Sequence, residues 1–337
     1  MKAVAYFDSL AIDDPRALQD VELPEPVPGP RDLLVEVRAI SVNPVDTKVR
    51  RNTQPEAGQP KVLGWDVAGV VVGVGSEVSL FNVGDEVFYA GSIARAGGNS
   101  ERHVVDERIV GRKPQSLSFA EAAALPLTAI TAWELLFERL QLVEGQGAGQ
   151  QLLVVGAAGG VGSIMLQLAR QLTEVTVIAT ASRPETQVWA RELGAHHVVD
   201  HSQPLHAELQ RAGFASVSHV ASLTQTDQHF DQLVEALTPQ GRLALIDDPA
   251  QPLDVMKLKR KSLSLHWELM FTRSLFETPD MIEQHRLLQR VSEMVDQGVL
   301  RTTLGEHFGT INAANLRRAH ALLESGKAKG KIVLEGF

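Results

Sequence analysis

The run Leu152-Leu153-Val154-Val155-Gly156-Ala157-Ala158-Gly159-Gly160-Val161-Gly162 leads straight into Ser163-Ile164-Met165-Leu166-Gln167-Leu168-Ala169. An apolar run that ends in a glycine cluster and reopens with helical periodicity is a strand, a tight turn and a helix. Such a unit can aim backbone N–H groups and the positive end of a helix at a pyrophosphate. Gly159 lets backbone approach phosphate oxygens without a Cβ in the way, and Gly162 lets the helix pack tightly on the strand. Ala157, Gly159, Gly160, Val161 and Gly162 are therefore the expected phosphate-binding set, with Ala157 standing where the usual G-x-G-x-x-G has its first glycine. The alternative is a glycine turn that serves packing alone.

The next apolar run, 175–180, ends at Ala181-Ser182-Arg183. A site for a free ribose 2′-hydroxyl places an acid about 20 residues after the glycine motif, and that position here is Ala181. A small residue, a hydroxyl and a guanidinium suit a 2′-phosphate instead. The expected cofactor is NADPH, with Ser182 and Arg183 at its phosphate. The competing reading of Arg183 is a solvated loop arginine before Pro184.

These residues need a scaffold. A chain of 337 residues is long enough for two cores. From residue 2 to about 110 it alternates short strand-like runs (33–42, 67–74, 86–90, 103–106) with Gly and Pro, which reads as a β-rich domain. Pro24, Pro26, Pro28 and Pro30 mark an extended connection. Residues 119–124 and 127–140 are helical in composition, with Pro126 forcing a break between them. From Gln151 strands and helices alternate as in a parallel sheet, with strands expected over 152–155, 175–180, 197–199, 217–220, 242–246 and 263–267. Six such strands make a complete doubly wound α/β fold. Later helices are expected over 278–297 and 313–324, with a closing strand at 332–334.

Composition narrows the function classes. The net charge of −9 comes with no long basic block, so no nucleic-acid partner is expected. Zero cysteines exclude disulfides, thiolate nucleophiles and Cys-ligated zinc together. No serine-nucleophile elbow of the form G-x-S-x-G is present, which disfavours a hydrolase. Residues 1–7 are too short for a signal core, and no apolar run of membrane-spanning length is expected, so the expected location is cytoplasmic with no membrane partner.

The order of a β-rich domain, a nucleotide domain and a return to the first resembles the medium-chain dehydrogenase/reductase superfamily. Three motifs carry the likeness: Ser41-Val42-Asn43-Pro44-Val45-Asp46, Leu63-Gly64-Trp65-Asp66-Val67-Ala68-Gly69-Val70-Val71, and the glycine loop. The Ala-x-Gly-x-x-Gly form and the Asn-Pro-x-Asp segment are most similar to its quinone oxidoreductase branch. Gly91-Ser92-Ile93 and the segment Trp267-Glu268-Leu269-Met270-Phe271-Thr272-Arg273 resemble a subgroup labelled zinc-type alcohol dehydrogenase-like. The likeness implies an α/β chain whose Rossmann sheet (127–276) is inserted in a β-rich, GroES-like catalytic domain (1–126 and 277–337). It also implies a homodimer, paired through the sheet edge near 263–267.

Zinc-dependent members hold their metal with a Cys near the 43–46 segment, a His-Glu pair and a later Cys. Here stand Asn43, then Trp65-Asp66, and no cysteine, so no metal site is expected; His196, His197 and His201 are read as surface or turn residues. Without a metal, hydrogen bonds must stabilise charge that develops on an acceptor's oxygen, which favours conjugated quinones or enones. The likeness implies Asn43, Asp46 and Lys48 as the catalytic set, with Lys48 replacing a Tyr of the related reductases. Lys48 is either a donor to the developing oxyanion or an ordinary exposed lysine. Asp46 either orients its neighbours or caps the turn after Pro44. Trp65 and Tyr89 are a candidate aromatic slot for a planar substrate, or core. Thr131 and His201 align with cofactor-contacting positions of the family. The expected activity is NADPH-dependent, zinc-independent reduction of quinones or α,β-unsaturated carbonyls. The alternatives are a zinc-type alcohol dehydrogenase-like oxidoreductase and a low-turnover NADPH-binding sensor or interaction protein.

Overall fold

A computed structural model describes residues 1–337. The chain forms two compact units, one made of Met1–Ile130 with Phe271–Phe337 and the other of Thr131–Met270. The sequence reading set these boundaries at 126/127 and 276/277.

The first unit is β-rich. Its opening segment contains β1 (Lys2–Tyr6), β2 (Gln19–Glu22), β3 (Asp32–Val42), α1 (Pro44–Asn52), β4 (Lys61–Val62) and β5 (Val67–Val74). There follow β6 (Glu86–Tyr89), β7 (Arg102–Asp106), β8 (Val110–Arg112), α2 (Phe119–Ala123) and the start of α3 (Pro126–Trp133). Its closing segment supplies the later elements: α8 (Thr272–Leu275), α9 (Glu283–Asp296), β15 (Leu304–His307), α10 (Ala313–Glu324) and β16 (Lys331–Glu335). The main sheet runs β15-β16-β3-β5-β6-β8, and β7 also pairs with β3. The return of the chain is thus built into the sheet, because β16 pairs antiparallel with β3, Ile332 opposite Val42.

The second unit holds β9 (Gln151–Val155), α4 (Gly160–Leu172), β10 (Thr176–Thr180), α5 (Pro184–Glu192), β11 (His197–Val199) and α6 (Leu205–Arg211). It continues with β12 (Val217–Ser222), α7 (Thr226–Ala236), β13 (Leu237–Leu245) and β14 (Ser264–Trp267). The sheet is wholly parallel, in the order β11-β10-β9-β12-β13-β14. A parallel sheet covered on both faces needs continuous apolar strands rather than alternating ones. Leu152, Leu153, Val154 and Val155 of the central β9 are accordingly all buried. This is the doubly wound Rossmann sheet, alongside a GroES-like β domain.

Several expectations are corrected in detail. The helix expected from 278 begins at Glu283, since Thr278 to Asp280 turn into it, with Arg273 paired to Asp280 at 3.0 Å. The 127–140 stretch is not one α-helix: α3 gives way at Glu134 to a wider π-helical turn, Glu134–Arg139. Phe119–Arg139 also has the length and hydropathy of a membrane span, contrary to the sequence reading. Most of it is buried, however, so its apolar surface is spent on the protein core.

The first unit also buries a histidine without partners. His320 of α10 is wholly inaccessible, neither ring nitrogen has a hydrogen-bond partner, and burial next to Arg50 pushes its pKa down to about 3. The unfolded chain then binds a proton below its ordinary value of about 6.5 that the folded chain refuses. Stability should fall as pH drops from about 6.5 toward 3, by up to ~1.4 kcal/mol per pH unit from this one group. His320→Leu, which surrenders no hydrogen bond, should flatten that acid limb in urea unfolding series run at successive pH values; an unchanged slope would show that His320 does not carry it.

Candidate active site

In the second unit the glycine loop sits at the carboxyl end of β9, where the strand order reverses between β10 and β12. That is the crevice in which doubly wound sheets bind ligands. Gly156 adopts φ +77°, a left-handed conformation open to glycine, and its N–H donates to Thr180 Oγ1 at 3.2 Å. Gly159 precedes α4 and offers no capping side chain, so the N–H groups of the first turn of a 13-residue helix are left for an outside acceptor. Gly162 is required by packing: a Cβ there would fall 2.5 Å from the Ala157 Cα and carbonyl oxygen. The tight helix-strand contact is thus a fact of packing at Gly162. These residues fit a dinucleotide.

Ala181 follows β10 directly and is buried, so no acid is available where a ribose hydroxyl would bind. Ser182 and Arg183 are half-exposed just beyond it, at the carboxyl end of the strand next to β9. Arg183 Nε lies 3.3 Å from Glu185 Oε1 in an exposed ion pair, the kind worth at most ~1 kcal/mol. His201 stands beyond β11, the edge strand, with its ring 6.1 Å from that of His229. Thr131 is buried on α3. Asp247, just beyond β13, accepts from the Thr226 N–H at 2.9 Å and thereby caps α7.

In the first unit the Asn-Pro-x-Asp segment becomes part of a buried polar cluster. Pro44 opens α1, and Asn43 and Asp46 form a reciprocal capping box around its first turn. Asp46 accepts from the Asn43 N–H at 2.7 Å and from the Gly64 N–H at 2.9 Å. Burial pushes its pKa up to about 7 against these hydrogen bonds and the nearby Lys331 charge. Asp66 is likewise raised by burial and opposed chiefly by Lys331, whose Nζ sits 2.9 Å from Asp66 Oδ2. The same ammonium donates to the Val42 carbonyl at 3.1 Å and to Asn43 Oδ1. Asn43 Nδ2 donates in turn to Asp66 Oδ2 at 2.8 Å and to the Trp65 carbonyl at 3.1 Å. The remaining oxygen of Asp66 accepts the Leu127 N–H at 2.7 Å, placing a carboxylate at the N-terminus of α3.

This geometry corrects the sequence reading of Asn43 and decides between the two readings of Trp65 and Tyr89 in favour of core. Asn43 was expected to donate to a substrate oxygen, but its amide donors are committed to Asp66 and backbone in a site excluded from solvent. Trp65 and Tyr89 do not wall an open slot. Trp65 is core, with Nε1 on the Ser92 carbonyl at 3.2 Å and its ring edge against Phe271. Tyr89 is inaccessible and hydrogen-bonded to His103 Nδ1 at 2.9 Å. Of the expected catalytic set, only Lys48 on α1 is half-exposed. Sequence reasoning missed Lys331 altogether, since nothing local in Gly330-Lys331-Ile332 signals an ammonium buried against a residue 265 positions away.

A zinc ion does not fit this donor set. Zinc needs several anionic or imidazole ligands converging on one point. Here Asp66 is neutralised by an ammonium, Trp65 offers only a donor, and nowhere do three His, Asp or Glu side chains gather to hold a metal.

The fold and the phosphate cradle define a nucleotide-dependent oxidoreductase of two domains, and comparison with known proteins agrees. Residues 29–132 match the alcohol dehydrogenase GroES-like domain and residues 193–334 a zinc-binding dehydrogenase domain. A zinc-type alcohol dehydrogenase-like protein of Staphylococcus aureus is 36% identical, over 99% of each chain. A quinone oxidoreductase of Pseudomonas aeruginosa is 31% identical over 96% of this chain and 97% of that one. Among solved structures, a Rhizobium etli protein provisionally described as a zinc-dependent alcohol dehydrogenase is 59% identical, with TM-score 0.97 over 100% of this chain and 98% of its own. The Escherichia coli quinone oxidoreductase complexed with NADPH is 25% identical, with TM-score 0.86 over 99% and 100%. The chain belongs to the medium-chain dehydrogenase/reductase superfamily.

Removing one partner of a buried ion pair strands the other charge. Lys331→Met should cost about 3–5 kcal/mol in denaturant unfolding. Adding Asp66→Asn should recover part of that loss by removing the stranded carboxylate, and strictly additive losses would contradict the coupling.

Proposed function

We propose that the protein reduces quinones or α,β-unsaturated carbonyls with NADPH, without zinc. One observation carries the cofactor choice: a buried Ala181 stands where a ribose-binding acid belongs, and Ser182 and Arg183 follow at the rim of the crevice. In this reading the N–H groups of the first turn of α4 bind the pyrophosphate. Ser182 and Arg183 bind the 2′-phosphate, and His201 and Thr131 are further cofactor contacts. When bound, the reduced nicotinamide supplies a hydride. Charge then develops on the acceptor's oxygen, and a conjugated acceptor spreads it so that hydrogen bonds suffice. Lys48 supplies the donor. Asn43 and Asp46 act behind it, fixing the first turn of α1 so that Lys48, two residues beyond Asp46, is presented from a rigid helix.

The NADPH complex of the Escherichia coli relative supports the cofactor, and the quinone oxidoreductase of Pseudomonas aeruginosa supports the substrate class. The partner in this reading is a second copy of the chain. Edge strand β14 pairs with β13 alone and leaves Trp267 and Leu269 exposed beside it, a combination that pairing would cover. The absence of cysteine suits a reducing cytoplasm.

Fluorescence titration and steady-state turnover test the reading together. NADPH should bind more tightly than NADH. Arg183→Ala should weaken NADPH by about one to two decades, the worth of one charge-assisted hydrogen bond, and leave NADH nearly unchanged. Equal affinities in the wild type would remove the NADPH assignment.

Turnover of a 1,4-naphthoquinone or an enone should persist after exhaustive chelation, whereas simple primary alcohols should not be oxidised comparably. Lys48→Met should lower kcat/KM for the acceptor by about tenfold or more without shifting NADPH affinity. Chelation-sensitive alcohol oxidation would favour a zinc alcohol dehydrogenase instead. NADPH binding without turnover would favour a sensor.

A further inference from the structure

Beyond the cofactor residues named so far, the carboxyl end of the second unit's sheet carries a buried acid. Glu268 directly follows β14, its side chain is inaccessible, and its N–H donates to the Leu245 carbonyl of β13 at 3.0 Å. Arg139 Nε donates to Glu268 Oε2 at 2.7 Å. The other oxygen, Oε1, is buried and meets no N–H or hydroxyl donor. The further side chain within hydrogen-bond reach of Glu268 is the carboxyl of Glu134, itself 2% exposed.

Glu134 and Arg139 are the first and last residues of the π-helical turn after α3. Single π-turns are uncommon and recur at functional sites. Here the wider turn lets one short segment bring both a carboxyl and a guanidinium to Glu268. Two ionised carboxylates at hydrogen-bond distance repel. A proton on one carboxyl makes the contact attractive and gives the other oxygen its missing donor.

The pair also has a defined place in the crevice. If Ser182 and Arg183 hold the adenosine phosphate beyond β10, and the pyrophosphate lies on α4 beside β9, then the nicotinamide half of the dinucleotide falls toward β12–β14. Glu268 stands at that end. We propose that Glu134 and Glu268 share a single proton, and that this proton, together with Arg139, holds the chain leaving β14 in the shape that receives the nicotinamide half of the cofactor. Both are positioning residues, and the placement rests on the dinucleotide reading above. Glu138 on the same turn also acts on Glu268, and Arg139 in turn faces His266 of β14, which lies near Arg242 of β13. Burial holds the Glu268 carboxyl above its ordinary pKa, opposed by the Glu134 contact and by Arg139 and reinforced by Glu138.

Two measurements on the full chain test this. Infrared spectra compared between wild type and variants should contain the carbonyl stretch of a protonated, buried carboxylic acid that disappears in both Glu134→Gln and Glu268→Gln. NADPH titrations from mildly acid to alkaline pH should show wild-type affinity falling by up to tenfold per pH unit once the shared proton leaves. Glu134→Gln keeps a donor toward Glu268 but cannot titrate, so its profile should be flat and its neutral-pH affinity near that of wild type. Glu134→Ala, which has no donor, should bind roughly tenfold more weakly. Loss of the band in neither variant, or a Glu134→Gln profile that titrates like wild type, overturns the proposal. If NADPH does not bind wild type at all, the dinucleotide reading fails with the positioning role, while the infrared band still decides the shared proton.

Discussion

The Lys331 ammonium, buried against Asp66, is the contact on which the rest of the first unit depends. It joins the last strand to the end of β3, to the 63–66 loop and, through Asp66, to the N-terminus of α3. A buried ion pair is a poor source of net stability, because desolvating both charges consumes most of what their attraction returns. Its effect is specificity. In this arrangement the three N–H donors of the ammonium are all satisfied, and withdrawing the segment that carries Asp66 would strand a charge in the dry interior.

That constraint changes what the Asn-Pro-x-Asp segment can do. Asn43 and Asp46 are the residues a chemist would pick as a hydrogen-bond donor and an acid, yet both have all their polar capacity spent on framework. Their contribution is rigidity: α1 is capped, pinned to the 63–66 loop at Gly64, and unable to drift. Lys48, two residues beyond Asp46 on that helix, inherits the rigidity.

The second unit solves a different problem with different means. The proposed cofactor contact needs unspent backbone donors, and the sequence places glycine where a capping side chain would have used them up. Within the same seven residues the tight helix-strand contact fixes Gly162, whose Cβ would strike Ala157, while a Cβ at Gly159 would meet nothing closer than 3.4 Å.

What the sequence by itself determined were the features written in local pattern. Period and glycine placement were enough for the parallel sheet, the glycine turn at the end of β9 and the start of α4, because strand burial, turn conformation and helix start are each decided within a few residues. The absence of cysteine was likewise decisive against a thiolate-bound zinc. Tertiary structure alone decided the state of each polar side chain. Asn43 is a framework residue because Asp66 and Lys331 reach it, and Lys331 arrives from 288 residues away. Tyr89 is core because His103 stacks on it, and Glu268 carries a proton question only because a π-turn brings Glu134 to it. Hydrogen-bond capacity is finite and is allotted by whatever folding places within about 3 Å, and that allotment has no local signature in the chain.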